Sequence, residues 1–221
     1  MEKFTCSQTI EQFLACHQHA FTFFGNRVPK NIMVDNLKSA VLKRLTGQAP
    51  VFNPKYLDFA QHHGFTIKAC NVRKGNEKGR VESAVGYIKK NFLNGLQVHD
   101  FSVINPAAKL WMENIANVRI HGETHQRPVD LMAKEKPAPM TLAQPYDIGT
   151  ILPVRATSRF RVSFDANRYS VPAEYASTAL ILKVYPDRLC VYHQNRLIAR
   201  HHRCYDRHRD IEDPDCLPRL Y

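Results

Sequence analysis

The feature that most constrains this chain is a change of hydrophobic period across a run of prolines. Pro128, Pro137, Pro139, Pro145 and Pro153 fall within 26 residues, and a cluster of that kind marks a linker or an irregular wrap between folded units. Upstream, short apolar runs alternate with stretches of helical period. Downstream, apolar and polar residues alternate one by one in short segments separated by turn residues. The two textures predict an α/β layer followed by a small all-β unit.

Upstream, Thr9 with Gln12 forms a possible capping box, and Ile10, Phe13, Leu14, Phe21 and Phe24 recur at helical spacing until Gly25. That predicts one amphipathic helix. Asn31-Ile-Met-Val-Asp35 is a short apolar run ending on an acid, which predicts a buried strand with Asp35 at its carboxyl end. A helical stretch is expected from Leu37 to about Leu45. Asn53-Pro54 opens a further helix that Gly64 ends, and Phe65-Thr-Ile-Lys-Ala-Cys70 reads as another strand. After a basic, glycine-containing loop at 71–82, a helix runs to about Leu93 with Val81, Val85, Ile88 and Phe92 as its buried stripe.

Charge is unevenly shared. Of a formal +11 over 221 residues, residues 1–95 hold 14 basic and 6 acidic side chains, residues 96–144 hold 5 and 5, and residues 145–221 hold 12 and 9. A basic chain favours polyanionic partners. The six cysteines are scattered with no Cys-x-x-Cys pair, so reduced thiols are expected rather than bridges or zinc. No apolar run reaches the roughly 18 residues of a membrane span, and the first residues lack a signal-peptide pattern, so a cytoplasmic location is expected.

Lys78, Glu82 and Lys89 repeat on one face of the last helix at four- and seven-residue steps. Two readings are open. One is a solvated ion pair contributing about 0.3 kcal/mol; the other is a metal-binding carboxylate whose flanking lysines meet phosphates.

Five blocks carry a family resemblance. They are Phe21-Thr-Phe-Phe-Gly25; Val28-Pro-Lys-Asn-Ile-Met-Val-Asp35-Asn-Leu-Lys-Ser-Ala-Val41; Lys78-Gly-Arg-Val-Glu82-Ser-Ala-Val-Gly86; Trp111-Met-Glu-Asn-Ile-Ala-Asn117-Val-Arg119-Ile-His121-Gly-Glu-Thr124; and Phe164-Asp-Ala-Asn167-Arg-Tyr169-Ser-Val-Pro172. In this order they resemble the integrase core and following segments of IstA-type insertion-sequence transposases. The resemblance implies an RNase H-like fold carrying an Asp-Asp-Glu triad, with Asp35 as the second acid and Glu82 as the third, both catalytic metal ligands for Mg²⁺ or Mn²⁺. Hard cations take oxygen ligands, and two of them can clamp both oxygens of a phosphoryl displacement. It further implies double-stranded DNA as substrate, association between protomers, and an IstB-type helper ATPase as partner.

The first acid of the triad has no match. Glu2 and Glu11 are the only acids before Asp35, and neither lies where a first strand would place one. The expectation is an α/β RNase H-like integrase core at 1–95, incomplete in its first strands. A helical connector with a Pro-rich linker follows at 96–144, then a small all-β barrel at 145–221. Such a truncated core leaves the strand ending at Asp35 with an open edge and is expected not to cut or join DNA alone. The alternative is a non-catalytic DNA-binding or regulatory remnant.

Lys74, Lys78, Arg80, Lys89 and Arg119 are expected to contact DNA phosphates. Arg159-Phe-Arg-Val-Ser-Phe164 alternates strictly and puts Arg159 and Arg161 on the outer side, either as further phosphate contacts or as solvated side chains. His121 and His125 have the four-residue step of a zinc site, but Gly122 and Arg127-Pro128 argue for a helix end. Short strands after Phe164, with turns at Pro186-Asp187 and Gln194-Asn195, complete the expected barrel.

Overall fold

The computed structural model describes residues 4, 5, 7–35, 37, 39–43, 48–70, 75–97, 100–134 and 141–213, with the backbone alone over 75–81 and 141–142. Two compact units divide the chain, residues 1–146 and 147–221.

The first unit opens with α1 (Ile10–Phe23), which buries Leu14, Ala15 and Phe21 and ends where Gly25 takes φ +74°. Glycine bears that left-handed conformation without a Cβ clash. The expected capping box does not form. Thr9 makes no side-chain cap bond, and its hydroxyl lies 3.4 Å from that of Ser7. Next come β1 (Arg27–Val28) and β2 (Asn31–Val34).

The helix expected from Leu37 is replaced by a single turn and a strand. The Leu37 carbonyl accepts from the Ala40 and Val41 amides, both at 2.8 Å, after which β3 (Val41–Lys43) pairs antiparallel with β4 (Val51–Phe52). Ala40 and Val41 are buried at that turn, and the Ala40 carbonyl accepts from the Asn53 amide at 2.9 Å. The sheet partner thus outcompetes a helical period that only three apolar residues supported.

Local signals decide α2 (Pro54–His63). The Asn53 side chain accepts from the Lys55 amide at 3.0 Å, Pro54 occupies the first turn, and Gly64 at φ +72° ends the helix. Strand β5 (Thr66–Ala69) pairs parallel with β2 from Asn31↔Thr66 to Val34↔Ala69. Among the described residues β2 and β5 form a sheet of two strands, with Met33 exposed beside it.

Helix α3 (Gly75–Ile88) continues as a wider π turn to Leu93. Its stripe is narrower than expected: Ile88 and Phe92 are buried, whereas Val85 is 42% exposed, and the Val81 side chain lies outside the described residues. Ile88 and Phe92 pack with Ile104, Ala108, Trp111 and Met112 of α4 (Ile104–Trp111) and its own π continuation. The unit closes with α5 (Pro128–Lys134) and β6 (Thr141–Leu142), the latter paired with β1.

The second unit contains β7 (Thr150–Arg155), β8 (Arg161–Phe164), β9 (Asn167–Ser170), β10 (Ala179–Val184), β11 (Arg188–His193), β12 (Arg196–His202) and β13 (Asp210–Ile211). The expected closed barrel is absent among the described residues. Instead there are two open sheets, β12-β11-β10-β7 and β13-β9-β8, around one core that includes Val162, Tyr169, Val171, Leu182, Leu189 and Val191. Closure fails where the chain passes between the sheets. Segment 203–209 adds no strand and is held by scattered backbone bonds, such as the His208 amide to the Ala166 carbonyl at 3.1 Å, and by buried Asn167, which donates to the Cys204 and Asp206 carbonyls at 3.2 and 2.8 Å and accepts from the Arg209 amide at 2.9 Å. Of the two turns read from sequence, Gln194-Asn195 adopts positive φ at both residues and Pro186-Asp187 at neither; Asp165-Ala166, between β8 and β9, also adopts it, which suits the twist of antiparallel strands.

Candidate functional site

Asp35 is the first residue beyond β2, and the parallel register sets it beside the carboxyl end of β5. The Val34 carbonyl accepts from the Cys70 amide at 2.9 Å, and the Asp35 carbonyl accepts from the Leu37 amide at 2.7 Å, so the end of the strand is fixed from both sides. The carboxylate is exposed and lines a pocket of about 420 Å³ together with Phe13, His17, Met33, Val34 and Leu37. Its walls are mostly apolar, and Asp35 is the one acid among the described residues that line it.

Glu82 lies on α3, eight residues into the helix that follows β5, and is exposed. The topology therefore joins the two acids through the paired strands β2 and β5. Among the described residues no cluster of three or more His, Cys, Asp or Glu side chains is arranged to hold a metal ion.

The basic candidates separate clearly. Lys74 and the side chains of Lys78 and Arg80 lie outside the described residues. Lys89 is exposed. Arg119 lays its guanidinium 3.5 Å from the centroid of the Tyr87 ring, a cation–π contact that ties the segment after α4 back to α3. In the second unit Arg159 is exposed, while Arg161 pairs with Glu212 and its side chain is only 16% accessible. Arg161 is thus largely neutralised by an acid 51 residues downstream.

His121 and His125 do not share a helix face. The His125 amide donates to the His121 carbonyl at 2.8 Å, His125 has φ 50°, and His121 Nδ1 accepts from the Glu123 amide at 3.3 Å. This is a turn.

Sequence reasoning missed the histidines of the first unit's core. His17 sits between the Phe13 carbonyl, 2.9 Å from Nδ1, and the Tyr56 hydroxyl, 3.1 Å from Nε2. Burial pushes its pKa down, and burial pushes the Tyr56 hydroxyl up. His63 is 4% exposed, edge-on to Phe59 at 4.4 Å and Phe21 at 5.2 Å, and its pKa falls to about 4 through burial and through the neighbouring charges of His62 and His17. The signal was present in the spacing: His17 shares a face with Phe13, Leu14 and Phe21 of α1, and His63 with Tyr56, Phe59 and Ala60 of α2.

Comparison with known proteins gives this geometry a context. Residues 142–213 match the family model of the Mu transposase C-terminal domain. The chain is 30% identical over 204 residues to a transposase of Aminobacter aminovorans, covering 92% of this chain and 40% of that protein. It is 31% identical over 202 residues to the transposase for insertion sequences IS1326/IS1353 of Pseudomonas aeruginosa, covering 90% and 39%. It is also 31% identical over 188 residues to the transposase for insertion sequence element IS21 of the same species, covering 84% and 48%. A simian T-cell lymphotropic virus intasome, solved in complex with PP2A regulatory subunit B56 gamma, superposes at a TM-score of 0.42 and 12% identity over 87% of this chain and 62% of that one.

The sequence comparisons place the chain in the transposase class. It belongs to the IS21 and IS1326 family of insertion-sequence transposases, and it spans about two fifths of the length of the relatives it matches.

Proposed function

We propose that this chain acts in DNA transposition, as the part of an Asp-Asp-Glu transposase that carries the second and third catalytic acids. The supporting observation is the position of Asp35, at the carboxyl end of a strand paired in parallel with the strand that leads to the Glu82 helix. On this reading residues 1–95 are part of an RNase H-like core, residues 96–144 a helical connector, and the second unit a domain that holds DNA ends or neighbouring protomers in the bacterial cytoplasm. An IstB-type ATPase is the proposed helper.

The donor chemistry fits Mg²⁺ or Mn²⁺: two exposed carboxylates are hard oxygen ligands, and Mg²⁺ is usually bound by one or two carboxylates with water and substrate phosphate completing its shell. Asp35 and Glu82 would hold the ion. When bound it supplies Lewis-acid stabilisation of the attacked phosphodiester. The chain's own contributions are positional. The β2–β5 ladder fixes the Asp35 backbone, α3 presents Glu82, and Lys89, with Lys74, Lys78 and Arg80, draws the DNA backbone toward them by charge.

A second reading is a non-catalytic DNA-binding or regulatory protein, favoured by the finding that no group of three ligands occurs among the described residues. Binding of a labelled duplex mimicking an element end, with and without Mn²⁺, separates the two. The catalytic reading expects Mn²⁺ to tighten binding and Asp35→Asn or Glu82→Gln to remove that gain. Salt-sensitive binding indifferent to metal and to both substitutions establishes the regulatory reading instead.

A further inference from the structure

We propose that the outer face of the β12-β11-β10-β7 sheet is a docking surface for an acidic amphipathic helix of a partner protein. Side-chain alternation puts Leu182, Val184, Leu189 and Val191 into the core and turns Ile181, Lys183 and Tyr192 to the other face, where Cys190 also lies but is only 2% exposed. Register then aligns an apolar row across all four strands: Pro153 opposite Ile181, Ile181 opposite Tyr192, and Tyr192 opposite Leu197. Ile181 is 42% and Leu197 45% exposed, and Ile151 in the next row is 62% exposed. At a strand spacing of about 4.8 Å the row spans roughly 14 Å, wider than one helix of about 10 Å diameter. An apolar sheet face of that width is commonly covered by a helix.

Charge selects the occupant. The four strands carry Arg155, Lys183, Arg188, Arg196 and Arg200 and not one Asp or Glu. Lys183 and Arg188 are paired with Asp147 and Asp187 from neighbouring loops, whereas Arg200 makes no ion pair among the described residues; Arg196, opposite His193, alternates to the other side of the sheet. In the opposite sheet Arg161 and Arg168 are likewise met by Glu212 and Asp210, the latter from a strand of that sheet, whereas the acids that meet Lys183 and Arg188 come from loops. A second copy of the same basic face would set like charges against each other, which excludes a symmetric pair. Duplex DNA suits the charges but not their layout, since the apolar row lies at the centre and the arginines at the border. An apolar centre with a charged rim is the anatomy of a protein interface.

The test uses the full chain and a fluorescein-labelled synthetic helix of about five turns built from Leu, Ala and Glu, with a Lys-for-Glu counterpart as control. Anisotropy is expected to show the acidic helix binding at least about tenfold more tightly than the basic one, with Ile181→Ser, Leu197→Ser and Arg200→Glu each weakening it about tenfold. Circular dichroism melts should be unchanged, since all three side chains are exposed. Equal binding of the two helices, or binding untouched by Ile181→Ser and Leu197→Ser, overturns the proposal. Displacement of the helix by a duplex whose own binding needs Arg200 but neither apolar residue overturns it too, and assigns the face to nucleic acid.

Discussion

Acidification should loosen the first unit through His63. The folded ring takes up a proton only near pH 4, against 6.5 for the free side chain, because its charge would be buried against Phe59 and Phe21 and would repel His62 and His17. Between those values the unfolded chain binds more protons, so stability is fully present above pH 6.5 and falls as pH drops toward 4. The whole shift corresponds to at most about 3 kcal/mol. Relaxation of the packing and water entry around the charged ring reduce the figure to about 2 kcal/mol, of which about 1 kcal/mol is lost by pH 5.

With an m-value of about 1.5 kcal/mol per M, the urea midpoint of this unit should fall by roughly 0.7 M between pH 7 and pH 5. Trp111 is the chain's single tryptophan and lies in this unit, so its fluorescence reports the transition selectively. His63→Phe keeps an aromatic ring in place and removes the proton site. It should flatten most of the pH dependence and leave the part owed to His17, whose pKa is also lowered by burial. An unchanged slope in His63→Phe, or a His63 ring resonance titrating near pH 6.5, refutes the reasoning.

Other outcomes follow from individual contacts. Phe92→Ala should cost about 3 kcal/mol by opening a cavity between Phe4 and Trp111, whose rings lie 5.7 and 5.4 Å away, and a red-shifted Trp111 emission would report it. Asn53→Ala should cost about 1 kcal/mol through loss of the cap to the Lys55 amide, seen as a lower urea midpoint in Trp111 fluorescence. Asn167→Ala removes three hydrogen bonds from a buried side chain and should cost about 2 kcal/mol or more, with faster hydrogen exchange at the Arg209 amide as its local signature.

What the sequence disclosed was decided within a few residues. Asn53-Pro54 and Gly64 bounded α2 because a cap, a fixed φ and a left-handed stop each act locally. The runs 31–34 and 66–69 became parallel strands because they are apolar, short and separated by a helix. At Leu37 and Val41 the same rules failed, since apolar residues at helical spacing are also compatible with a turn and a strand, and the partner that chose between them, Val51–Phe52, lies beyond any local window. His17 and His63 were overlooked for a related reason. Their positions on apolar faces were legible, but the burial that lowers their pKa comes from packing between α1 and α2.

Barrel closure and surface charge were least legible because both depend on long-range partners. Alternation correctly turned Arg161 away from its neighbours Phe160 and Val162, yet it could not disclose that Glu212 would meet it, nor that Asp210 would meet Arg168. Five of the nine acids of residues 145–221 fall between 206 and 215, and the strands of the β12-β11-β10-β7 sheet hold none. A segment whose formal charge is only +3 therefore holds one sheet whose strands carry basic residues and no acid, with Lys183 and Arg188 matched from loops. Net charge per segment understates the charge of that sheet, and the alternating strand that first drew the eye to Arg159 and Arg161 belongs to the sheet where basic charge is largely compensated.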